Sequence, residues 1–136
     1  MRINFNTCRF NTSVPSFSNV PAFGAYKTVN NLNVAQDVFR DLEFISHDVD
    51  INDKDDLDAA ARTLYAVISE TCHSMGSSSL NVPTDSHLAV LNLFDLMYIK
   101  YNSGRISDSS YNKMRALLRE TSVLANKIQK ENMSKK

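Results

Sequence analysis

The chain has 136 residues, 15 Lys+Arg against 15 Asp+Glu, 43% hydrophobic and 22% charged residues, three Gly, three Pro, two Cys and no Trp. Such a composition describes one globular domain and excludes collagen, a coiled-coil fibre and a disulfide scaffold. The formal net charge of zero gives no global pull toward nucleic acid or a membrane surface.

The zero is a cancellation. Residues 1–32 carry Arg2, Arg9 and Lys27 with no acid; residues 33–60 carry nine acids against Arg40 and Lys54, a charge of −7. Residues 61–104 sum to −1, and residues 105–136, with eight bases and three acids, to +5. Either the acidic and basic segments face each other or solvate separate faces, or one pole docks a partner of opposite sign.

Residues 1–32 are rich in Asn, Ser and Thr and lack a helical period. Val14-Pro15-Ser16-Phe17 repeats as Val20-Pro21-Ala22-Phe23. Proline fixes its own φ and pushes its predecessor toward extended geometry, so this is an extended, partly disordered tail. Phe5, Phe10, Phe17, Phe23 and Tyr26 are too many aromatics for a purely solvated linker. Two uses fit: the tail fills grooves on its own domain, or Val14, Pro15, Phe17, Val20, Pro21 and Phe23 dock another protein. The alternation Ile3, Phe5, Thr7 is a weak strand candidate.

A helical domain follows over residues 33–136. Val34, Val38, Leu42, Ile45 and Val49 share one face of a first helix that begins after Asn33 and ends near Ser46 to Asp48. Asn52 or Asp53 opens a second, and Asp53 with Asp56 forms a weak capping box. Its stripe is Leu57, Ala60, Ala61, Leu64, Val67, Ile68, Thr71, Cys72 and Met75, stopped by Gly76.

Thr84 or Asp85 caps a third helix, with Pro83 at its entry. Leu88, Val90, Leu91, Leu93, Phe94, Leu96, Met97 and Ile99 make it apolar almost all round. That pattern predicts a central helix with Leu91, Phe94 and Met97 in the core. The run from Leu88 to Ile99 is too short for the ~18–20 residues of a membrane span. A fourth helix opens at Ser107, stapled by Ile106 and Tyr111, and its last five or six residues should fray.

Chemistry-bearing motifs are sparse. Asp48-Val49-Asp50-Ile51-Asn52 begins like a calcium loop, but Asp53 and Ala59 stand where that loop needs glycine and glutamate. His47, His73, His87, Cys8 and Cys72 have no zinc spacing. Burial of Cys72 argues against a Cys–His nucleophile, and the Ser77–Ser79 run lacks the nucleophile-elbow glycines. The expectation is no catalytic residue, no metal and no cofactor. Free thiols in a reducing compartment are the default reading of two cysteines.

The segment Leu93-Phe94-Asp95-Leu96-Met97-Tyr98-Ile99-Lys100-Tyr101-Asn102-Ser103-Gly104-Arg105-Ile106-Ser107, followed by Tyr111 and Leu117-Leu118, resembles the SHOCT-type short helical hairpin. Asp108, Ser109 and Ser110 stand where that family is usually acidic, so the match is partial. The resemblance implies a tight helical hairpin and an association with oligomerisation or nucleic-acid contact. It brings no catalytic residue.

The fold expectation is all-α: about four mostly antiparallel helices with an extended N-terminal tail. The leading functional expectation is a non-enzymatic protein-interaction module, of bacterial or phage accessory type or secreted and effector-like. The Ser/Asn/Thr-rich start resembles leaders of proteins exported without a cleaved signal peptide, and the expected location is the cytoplasm or export by that route. The alternative is nucleic-acid binding through Arg115, Arg119, Lys127 and Lys130 of the basic C-terminal helix.

Overall fold

The computed structural model describes residues 29–134 and folds them as four helices. These are α1 (Asn31–His47), α2 (Lys54–Ser74), α3 (Val82–Asn102) and α4 (Asp108–Ser134). The tail residues Val14, Pro15, Phe17, Val20, Pro21 and Phe23, the strand candidate at residues 3–7 and Cys8 lie outside the described residues.

Each helix end has an identifiable cause. Asn30 caps α1, its side chain accepting from the Leu32 and Asn33 amides at 3.0 and 3.2 Å. The helix thus starts at Asn31, three residues earlier than the periodicity suggested, because the Asn30 cap lies a full turn before Val34, the first position of the apolar stripe. Asp53 caps α2 by accepting from the Asp55 and Asp56 amides at 3.0 and 3.3 Å. Asp56 does not complete the box onto Asp53. Its shorter side chain accepts instead from the Asp50 amide, at 2.7 Å, and so fastens the α1–α2 loop.

Gly76 and Gly104 terminate α2 and α3 in the same way. Both have positive φ, +108° and +81°, a region open to glycine at little cost. The Ser77 amide reaches back to the Cys72 carbonyl at 3.0 Å and the Gly76 amide to His73 at 3.1 Å. The Arg105 and Gly104 amides repeat this on Lys100 and Tyr101 at 2.9 and 3.0 Å. This 6→1 and 5→2 pattern satisfies the last carbonyls of each helix.

The start of α3 differs from expectation. It begins at Val82, and Pro83 sits inside the first turn, where its missing N–H removes no bond. Thr84 and Asp85 are helical, and the Asp85 carboxylate accepts from the Ser77 hydroxyl at 2.7 Å. At α4, Ser107 caps as expected, its Oγ accepting from the Ser110 amide at 3.2 Å. The far end of α4 stays helical to Ser134, where the Asn132 side-chain amide donates to the Leu80 carbonyl at 3.1 Å and ties it to the α2–α3 loop.

Successive helices run antiparallel, and every pair touches; α3 packs most extensively on α4 and then on α1. Leu42, Leu64, Ile68, Leu93, Met97, Met114, Leu117 and Leu118 form the fully buried centre. Burying each such side chain contributes roughly 1.5–3 kcal/mol relative to exposure. Thr121 shares this core by donating to the Leu117 carbonyl one turn back, at 2.8 Å. Ala125, one turn further along α4, is also fully buried.

The expectation that α3 is surrounded is corrected. Met97 is buried, but Phe94 is only partly so and Leu91 is 45% exposed. Three neighbours cover one side of α3 and leave the other bare.

Candidate interaction surface

The bare side of α3 carries Leu88, Leu91, Tyr98 and Ile99, which are 39, 45, 57 and 62% exposed. At 100° per residue these positions fall within an arc of about 100°, so they form one stripe along the helix. Single exposed apolar residues are ordinary on a protein surface; Phe44 on the outside of α1 is one. Leu88, Leu91, Tyr98 and Ile99 instead lie together on one helix face.

The stripe is rigidly held from behind. Val90, Leu93 and Met97 anchor α3 in the core. Lys100 Nζ lies 5.0 Å from the centre of the Phe39 ring on α1, a cation–π contact. Tyr101 stacks on Tyr111 of α4 with centroids 4.0 Å apart. Asp95 is exposed on the bare face between Leu91 and Tyr98. That charge was the sequence signal for an outward side, hidden because apolar residues surround it.

At the other end of the bundle, Ser86 links α2 and α3. Its hydroxyl lies 3.1 Å from Ser69 Oγ and donates to Cys72 Sγ at 3.8 Å. Cys72 is fully buried, and burial pushes its thiol pKa up. A neutral thiol of this kind is a poor nucleophile. Burial also raises the pKa of Tyr65, beside Ser69 and Ser86.

An open cleft of about 680 Å³ lies between the α1–α2 loop and the start of α4, lined by Asp48, Asp50, Asn52, Ser109, Asn112 and Lys113 among others. Its polar groups are largely committed. Asp50 Oδ1 accepts from the Asn52 amide at 2.9 Å, and Lys113 Nζ donates to the His47 carbonyl at 3.1 Å. The Asp48–Asn52 acids therefore serve as turn and cap groups. Among the described residues no three His, Cys, Asp or Glu side chains are placed to hold a metal ion. His47 and His73 are exposed and His87 half-buried, in separate places.

Arg115, Arg119, Lys127 and Lys130 are all exposed on the outward face of α4. The ion pairs Arg62–Asp58 at 3.0 Å and His47–Asp48 at 3.3 Å are local to their own segments. Among the described residues no helix is long and apolar enough to cross a membrane. Compared with protein-family models, curated proteins and solved structures, the chain matches none.

Proposed function

We propose that the protein is a non-enzymatic protein-interaction module whose working surface is the outer face of α3. The supporting observation is the exposed stripe of Leu88, Leu91, Tyr98 and Ile99 on a helix otherwise anchored in the core. A partner laying an apolar segment on that stripe would remove it from water without repacking the bundle. The resemblance of the Leu93–Leu118 hairpin to SHOCT-type hairpins, with their association with oligomerisation, agrees with this reading.

The test is site-specific photo-crosslinking in the producing cell. A benzophenone amino acid at position 91 should yield discrete adducts with one or a few proteins. The same probe at exposed Arg62 on α2 should yield only background. Equal adduct patterns at the two positions would contradict the proposal.

A second reading is favoured by the outward placement of Arg115, Arg119, Lys127 and Lys130 on one face of α4. Phosphate binding there would weaken steeply with salt. A gel shift lost between about 50 and 200 mM salt, and abolished by R115E/R119E, would favour nucleic acid as the partner.

A further inference from the structure

We draw no further inference here: the strongest candidate, the apolar stripe of Leu88, Leu91, Tyr98 and Ile99 on the outer face of α3, belongs to the surface already described, and nothing in the structure shows what covers it.

Discussion

The Tyr101 hydroxyl donates to Asp108 Oδ1 at 2.7 Å, joining the last turn of α3 to the first turn of α4. This bond closes the hairpin whose outer face we assign to partner contact. The hydrogen bond to Asp108, followed by the negative charge of that carboxylate, raises the Tyr101 pKa above its ordinary value of 10.0.

The neutral, donating phenol is thus favoured by folding. Its contribution to stability is complete below pH 10 and is lost as pH rises through the raised native pKa. NMR titration of the tyrosine ring carbons should show Tyr101 ionising above the ordinary value of 10.0. D108N should return Tyr101 toward the ordinary value. An unchanged Tyr101 titration in D108N would show that the bond does not form in solution.

Cys72 also has a raised pKa, chiefly through burial. Folding therefore favours the thiol over the thiolate, and stability should fall as pH climbs above 9.0, the ordinary value. In a C8S background the thiol should resist a disulfide reagent at neutral pH and react at the rate of global or local opening. Instant stoichiometric reaction of the native protein would show that the α2–α3 seam is open.

Core and stripe substitutions should separate sharply. Leu64→Ala and Leu93→Ala remove fully buried side chains and should each cost about 2–5 kcal/mol in denaturant unfolding. Leu91→Ala should cost about 0.5 kcal/mol or less, as befits a half-exposed position. Equal losses at Leu91 and Leu93 would mean that α3 is enclosed after all.

Gly104 offers a backbone test. A Cβ there would meet nothing within 4 Å, so any penalty comes from its φ of +81°. Gly104→Val should destabilise by about 1–2 kcal/mol, and Gly104→Asn by clearly less, since asparagine tolerates this region. Equal midpoints for the valine variant and the parent chain would contradict the turn geometry.

Much of this fold was legible in the chain. Val34, Val38 and Leu42 repeat at helical spacing and are all buried. Asp53, Ser107, Gly76 and Gly104 punctuate the helices by local chemistry, which sequence displays directly. The exposed face of α3 was not legible from its apolar pattern. A helix apolar on all sides reads the same whether four neighbours or three surround it, and the number of neighbours is a tertiary fact. Asp95, exposed on that side, was the charged residue that pointed to it. The entry of α3 was missed because Ser77, from the preceding loop, engages Asp85 and removes it from capping.

The central claim is that Leu88, Leu91, Tyr98 and Ile99 form a surface for contact and not for stability. The most direct measurement is L91D/I99D in the full chain, assayed both for unfolding free energy and for affinity toward the protein identified by crosslinking at position 91. The account predicts stability within about 0.5–1 kcal/mol of the parent chain and at least a tenfold loss of affinity. A loss of several kcal/mol in stability, or an affinity that does not change, would contradict it.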